Sequence, residues 1–453
     1  MEKWSIIQRH ETAALPDLPL LSEVDVLVVG AGSSGVAAAV MAARSGLKTL
    51  IVEKYGFCGG SAVAGMSGTI CGMFMGREDR AKAPEQIVYG MAETFRAALD
   101  LRGGVTGPQH YGKTFTVTHD PMVWREAADD LLLEAGAEVL YHTAVESVIM
   151  EGDTYRGVVL ESNAGKSMLM AKIIIDASGD AAVVSRAGHA VYFGDEGAIQ
   201  NPTMIFRIGG VDLERYAAFY GDDTICPAKV TEEILKVQAK GTLDLPRHKI
   251  WIFPTTRPGE LMVNATRLAG QDGRILNVID PADFTESEIF GRRQARDYAT
   301  FLKETVPGCE ESFINDMAVE VGIRQTRSVV GKTTLTNDDV VGCRKREDGI
   351  ARSAWPIELH SGTKPKLHWL LEDYYEIPLD ALIPEKGENI IVCGRNLAAE
   401  HEALASARVT AQCFEYGHAA AVAAAKAIRE NRSIREIPGE EVRAEMKRNG
   451  SAL

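Results

Sequence analysis

Cysteine is scarce in this chain and badly spaced for chemistry. The seven in 453 residues are Cys58, Cys71, Cys226, Cys309, Cys343, Cys393 and Cys413. An odd, scattered set without a C-x-x-C pair excludes a disulfide framework, a zinc ribbon and an iron–sulfur cluster. No metal site is expected. Basic charge is also short: 49 Lys and Arg face 63 Asp and Glu, a formal net charge of −14. With no basic block, that balance argues against nucleic acid as a partner and against docking on an anionic membrane. No uninterrupted apolar run is long enough to span a bilayer, since even the alanine-rich stretch ending at Ala425 meets Lys426. Fixed-period repeats are missing too, which removes solenoids and arrays. The opening MEKWSIIQRHETAALPDLPLL mixes charges and prolines unlike a signal peptide, so a soluble cytoplasmic protein is expected. What remains is ordinary globular composition, long enough to fold without bridges or metals.

The strongest element present is VDVLVVG, a valine-rich buried strand from Val24 to Gly30. It turns into the small-residue helix VAAAVMAARSG, ending at Gly46, and a second apolar run, KTLIVEK, starts at Lys48. That is a β-α-β unit, the signature of a parallel sheet. Further on, Asp120 reads as a helix N-cap with Pro121 at the first helical position, the helix running to Gly136. EVLYHTAVESVIM, YRGVVLES and KSMLMA then read as a β-meander, and KIIIDASGD as a further buried strand. Between about residues 190 and 370, short strands such as KIWIFPTT alternate with polar helices. NIIVCG is a final strand ending at Gly394, and one long helix is expected from about Ser406 to Ile428. The fold class is therefore α/β. A Rossmann-like domain is assembled from residues 1–190 and 371–453, with a mixed α/β substrate or cap module inserted at 191–370.

The first β-α turn carries Gly30-Ala31-Gly32-Ser33-Ser34-Gly35, a G-x-G-x-x-G between strand and helix. Gly30 permits the tight turn, Gly32 lets the backbone approach a pyrophosphate, and Gly35 lets helix and strand pack closely. The helix start offers unpaired N–H groups and a positive dipole end to phosphate. Glu53 closes the second strand, where an acid accepts hydrogen bonds from an adenosine ribose. Just beyond it, Lys54-Tyr55-Gly56-Phe57-Cys58-Gly59-Gly60-Ser61 brings a second Gly-Gly close approach. That favours FAD over NAD, because FAD continues past its pyrophosphate into ribityl and isoalloxazine.

GAGSSGVAAA, VEKYGFCGGSAVAG, AKIIIDASGDAAVVSRAG, GIRQTRSVVGKTTLT and CGRNLAAEHEALASARVTAQCFEYGHAAAVAAA together resemble the FAD-dependent oxidoreductases of the two-dinucleotide-binding-domain type. The resemblance implies an FAD domain like those of fumarate reductases and thiazole synthases. The resemblance runs almost end to end. It implies that Ala177, Ser178 and Gly179 form a second flavin loop, with Ser178 in place of the usual threonine, and that Val145 reads the adenine edge through its backbone. It also implies that Gly394, Arg395, Arg408 and Val409 bring a helix N-terminus to the flavin pyrimidine. Such a positive end, or Arg408 itself, would stabilise the charge of reduced flavin; pairing of Arg408 with a local acid is the alternative. His401 and Glu402 resemble the family's H-E pair before that helix. His401 would take a proton while hydride passes to flavin N5, or else orient the loop.

Arg267, Arg324 and Arg327 lie in the inserted module, where a guanidinium clamps a substrate carboxylate or serves a structural ion pair. Tyr111 and His119 are lesser candidates for the pocket wall. Cys58 lies near the Gly-Gly pair, but without a partnering cysteine it reads as a small buried hydrophobe. The Walker A match from Gly107 to Thr114 lacks both the preceding strand and the following helix and is set aside. No second G-x-G-x-x-G appears, so the expected reaction is dehydrogenation of a small polar alcohol or amine. Reduction of an activated C=C bond and a non-catalytic flavin electron carrier are the alternatives. The electron acceptor is open, and a symmetric homodimer is the expectation from the general habit of enzymes.

Overall fold

The computed structural model describes residues 12–13, 17–360 and 365–453; most of the amino-terminal segment examined for a signal peptide lies outside them. The first β-α-β unit forms as the pattern dictates, as β1 (Leu20–Val29), α1 (Ser33–Arg44) and β2 (Thr49–Val52). Alternation along β1 decides the layering. Val26 and Val28 pack into one apolar core with α1, whereas Leu27 and Val29 pack into another on the opposite face. A strand covered on both faces reads as continuous hydrophobics, which is how VDVLVV reads.

Helix α2 (Pro121–Ala135) begins and ends where its signals predict. Asp120 accepts hydrogen bonds from the Met122 and Val123 N–H groups, and Gly136 closes it in the left-handed conformation at φ 82°. The meander follows as β3 (Glu138–Leu140), β4 (Ala144–Glu151), β5 (Thr154–Ser162) and β6 (Gly165–Asp176). KSMLMA and KIIID, expected as two strands, are one. Gly165–Met170 of β6 pairs antiparallel with β5 on one edge, and Met168–Asp176 runs parallel to β1 on the other. No turn residue interrupts the strand, and at Met168–Met170 it pairs with both neighbours at once. β12 (Ile390–Val392) adds in parallel on β6, and with the two-residue strand Thr12–Ala13 beside β4 it completes an eight-stranded sheet among the described residues.

The insert is built on an antiparallel sheet of β7 (Phe206–Gly209), β8 (Trp251–Pro254), β9 (Leu261–Asn264) and β10 (Phe313–Met317), in the order β8-β9-β7-β10. Helix α3 (Pro281–Thr305) covers it through Ala295, Tyr298, Phe301 and Leu302. Its core spans Met204 to Val321 and takes in Met66, Tyr111 and Trp355 from outside that range. Leu335, Val340, Ile350 and Ile357 pack instead with α1 in the first core. Strand β11 (Ile357–Leu359) thus runs along the seam between the two bodies.

After β12 (Ile390–Val392), the long helix expected from Ser406 is two helices, α4 (His401–Ala407) and α5 (Thr410–Glu430), broken at Arg408 and Val409. Helix α5 packs hard on α1: a Cβ on Gly417 would sit 2.0 Å from the Ser34 carbonyl oxygen. Further along α5, Glu415 is fully buried, accepting hydrogen bonds from the Met91 N–H at 3.1 Å and from the Ser451 hydroxyl. Burial outweighs those bonds and pushes its carboxyl up from 4.5 to about 7. The folded chain therefore holds this proton more tightly than the unfolded chain, and stability falls as pH rises across that interval, on the order of 3 kcal/mol in all. Glu415→Gln is expected to melt above the wild type at pH ~8 and to lose that advantage at pH ~5. Equal melting differences at both pH values would refute this.

Candidate active site

A groove opens along the carboxyl ends of β1, β2 and β6, where parallel sheets place their ligands. Its floor is glycine because nothing larger fits. Gly30 turns at φ +96°, and a Cβ there would meet the Ala177 carbonyl oxygen at 2.8 Å; a Cβ on Gly35 would lie 1.9 Å from the Gly30 carbonyl oxygen. Over Gly32 the space is free, the nearest atom to a Cβ being Gly60 Cα at 4.0 Å. Helix α1 has no side-chain cap and no acid in its first turn. Its opening amides at Ser33 and Ser34 therefore stay available for an anion over Gly32. That cradle fits a dinucleotide diphosphate.

Glu53 stands at one end. The Ala31 N–H donates to its Oε2 at 2.7 Å and the Tyr55 N–H to its Oε1 at 3.0 Å. Burial raises its pKa, partly offset by those two amides. Each oxygen keeps a lone pair for ribose hydroxyls. Opposite lies the loop after β6. Asp176 accepts from the Ser178 N–H at 3.1 Å and the Val183 N–H at 2.9 Å, holding Ala177, Ser178 and Gly179 against the groove. Burial works against the charge of Asp180, yet Arg395 at 2.6 Å and the Thr326 hydroxyl at 2.7 Å prevail and lower its pKa. Lys54, Gly59, Gly60, Ser61, Gly394, Arg395, Arg408 and Val409 also line the groove. At its far end the break before α5 presents another helix start without a side-chain cap or an acid in its first turn.

Beyond that end, under the insert, lies a chamber walled by Tyr111, Arg324, Trp355, Glu358, His360 and Arg408. Glu358, on β11, accepts the Tyr111 hydroxyl at 2.7 and 2.8 Å to its two oxygens. Arg247 Nη2 lies 3.1 Å from His360 Nδ1. A guanidinium only donates, so Nδ1 is the acceptor and the ring proton sits on Nε2, 3.4 Å from Glu358 Oε1. Burial first, then Arg324, Arg247 and Arg408, hold the His360 pKa well below its usual value, leaving the ring neutral. Burial raises the Glu358 pKa against the pull of Tyr111 and the arginines, and it lifts that of Tyr111 so that the phenol keeps its proton.

Several residues singled out in the sequence lie elsewhere. His401 faces Gly194 at the start of α4, and Glu402 pairs with Lys366 at 2.6 Å; neither lines the groove. Arg267 reaches Asn201 at 3.3 Å, and Arg327 holds the Asp180 carbonyl at 2.8 Å, both outside it. Ala31 and Gly35 form the turn behind the groove. Val145 sits in β4 paired with Leu160, its side chain in the meander core. The Cys58 thiol is buried 3.1 Å from the Tyr141 hydroxyl and pushed up to about 12, mainly by burial. His119 is buried against Trp124. Conversely, Glu358, His360, Arg247 and Asn264 were not singled out. Glu358 stands between Ile357 and Leu359, a polar residue that reads as the wet face of a strand; only the insert turns that face into a chamber.

Residues 25–446 match the profile of the family described as FAD dependent oxidoreductase. Among curated proteins the chain is similar to a thiamine thiazole synthase of Methanococcus vannielii, 32% identical over 175 residues, covering 36% of this chain and 60% of the relative. It is also similar to a probable electron transfer flavoprotein-quinone oxidoreductase of Escherichia coli, 27% identical over 172 residues, covering 36% and 38%. Both matches span less than two thirds of the relative. A solved geranylgeranyl bacteriochlorophyll reductase-like protein of Thermoplasma acidophilum shares 15% identity over 94% of this chain and 83% of its own, at a TM-score of 0.48. Among the described residues, no helix is long and apolar enough to cross a membrane. The profile match covers nearly the whole chain, and the glycine cradle fits the family's cofactor: this chain belongs to the FAD dependent oxidoreductase family, and its cofactor is FAD.

Proposed function

We propose that this enzyme dehydrogenates a small polar substrate, an alcohol or an amine, in the chamber beneath the insert, with Glu358 as the proton acceptor. The observation that carries this is a buried carboxylate, hydrogen-bonded by Tyr111 and facing the same cavity as the cofactor groove. FAD, when bound, supplies the two-electron acceptor. The chain supplies orientation and a proton path. Its raised pKa makes Glu358 a stronger base than an exposed carboxylate. The Tyr111 phenol and the His360 Nε2–H spread the charge that remains on Glu358 until it is protonated. Trp355, Phe253 and Ile205 close the chamber walls with apolar surface and keep bulk water from the reacting groups. His401, Glu402 and Arg267 have no place in this scheme.

The buried arginines keep one other reading in view, reduction of an activated C=C bond in the same chamber. An anaerobic screen separates the two. Alcohols and amines that bleach the yellow holoenzyme without added reductant support dehydrogenation. Bleaching by none of them, together with reoxidation of chemically reduced enzyme by unsaturated acids, refutes it.

A further inference from the structure

The chamber buries more positive charge than it balances. Arg247, Arg324 and Arg408 surround a single carboxylate, Glu358, so the fixed charge is 3 − 1 = +2 with His360 neutral. Guanidinium groups do not shed their proton in proteins, and burying them without a counter-charge is costly. Among the described residues, none of the three forms an ion pair. Their partners are neutral: Asn264 Oδ1 for Arg247 at 3.2 Å and for Arg324 at 3.3 Å, the Asn201 carbonyl for Arg324 at 2.8 Å, and Gln200 Oε1 for Arg408 at 3.0 Å. Arg408 Nε is buried with no partner at all. Arg324 and Arg408 line the chamber, while Arg247 stands behind them, stacked over Trp251 at 4.3 Å. Asn264 ties Arg247 and Arg324 to one oxygen and so fixes the direction in which both point.

We infer that the chamber is a binding site for a small organic acid, whose carboxylate is gripped by Arg324 and Arg408 with Arg247 as the supporting charge. This rests on the dehydrogenase reading only for placing the acid beside Glu358, where a hydroxy or amino group next to the carboxylate would meet the base. A planar carboxylate matches two guanidinium forks, and an excess of two charges accommodates one or two such groups. Apolar walls favour a compact carbon skeleton.

The test is a titration of the holoenzyme with malonate, inorganic phosphate and uncharged propane-1,3-diol, followed by the flavin difference spectrum and by thermal shift. Malonate is expected to perturb the spectrum saturably and raise the melting temperature, and the diol to do neither. Arg324→Gln and Arg408→Gln should each weaken malonate by about tenfold or more, with Arg408→Lys between them and the wild type. Where Arg324→Gln loses FAD or fails to fold, the less buried Arg408 variants decide. Malonate affinity unchanged in the variants, no malonate binding, or phosphate binding as tightly with the same dependence on Arg408 would each overturn the inference. Turnover of a neutral alcohol without malonate binding sinks this inference and leaves dehydrogenation standing. Malonate binding with no hydroxy or amino compound turned over does the reverse.

Discussion

Glu358→Gln is expected to fold, stay yellow and bind substrate, yet lose turnover by about 10²–10⁴-fold, the usual contribution of a positioned general base. The amide keeps an acceptor for the Tyr111 hydroxyl and fills the same volume, so packing against Ile357 and Leu359 is preserved. What it removes is, among the described residues, the one carboxylate lining the chamber. The wild type should also show a pH dependence that the variant lacks. Glu358 must be ionised to accept a proton, and burial holds its pKa above the ordinary carboxylate value. Activity should therefore rise with pH through a single ionisation lying above the normal glutamate range. Burial and three arginines move the His360 ionisation the opposite way, below the usual histidine range. A Glu358→Gln enzyme with more than a tenth of wild-type turnover and the same pH profile would remove Glu358 from the mechanism.

Gly32→Asp is expected to yield a folded, colourless protein. Among the described residues, its own chain neighbours aside, nothing comes closer than 4.0 Å to a Cβ at Gly32, and its φ of −71° suits any residue, so the apo form should melt near the wild-type apo form. The new carboxylate, however, would occupy the anion cradle at the start of α1. It fills the space of the diphosphate and satisfies the amides that would bind it. Stoichiometric FAD in purified Gly32→Asp would contradict the placement of the cofactor. Gly35 offers no such test, because a Cβ 1.9 Å from the Gly30 carbonyl would break the turn itself.

The parts legible in the sequence are those set by the local chain. Gly30, Gly32 and Gly35 announce themselves because the backbone needs them, and Asp120-Pro121 marks a helix start whose cap is completed within three residues. Glu53 is legible because it ends a strand at a fixed distance from the glycine turn. What was hidden depends on distant packing. The break at Arg408 and Val409 contains neither Gly nor Pro. It is secured by contacts far away in sequence, such as the Thr410 hydroxyl donating to the Thr69 carbonyl at 3.2 Å. The continuity of β6 is invisible because nothing local shows that the two apolar stretches share one strand between β5 and β1. Residues 335–357 lie within the stretch that reads as insert, yet Leu335 and Ile350 pack against the first core, a choice made by tertiary contacts rather than periodicity. His401 drew attention through its resemblance to a family pair, whereas the chamber's histidine is His360, two positions beyond Glu358 and just past the end of β11.

The placement of FAD in the glycine groove is tested most directly by titration of the apo-protein. FAD added to apo-protein stripped of its flavin should bind at one per chain, restore the yellow spectrum and raise the melting temperature as tight ligands do. Protein that stays colourless at saturating FAD, or that is stabilised as well by NAD, would contradict it.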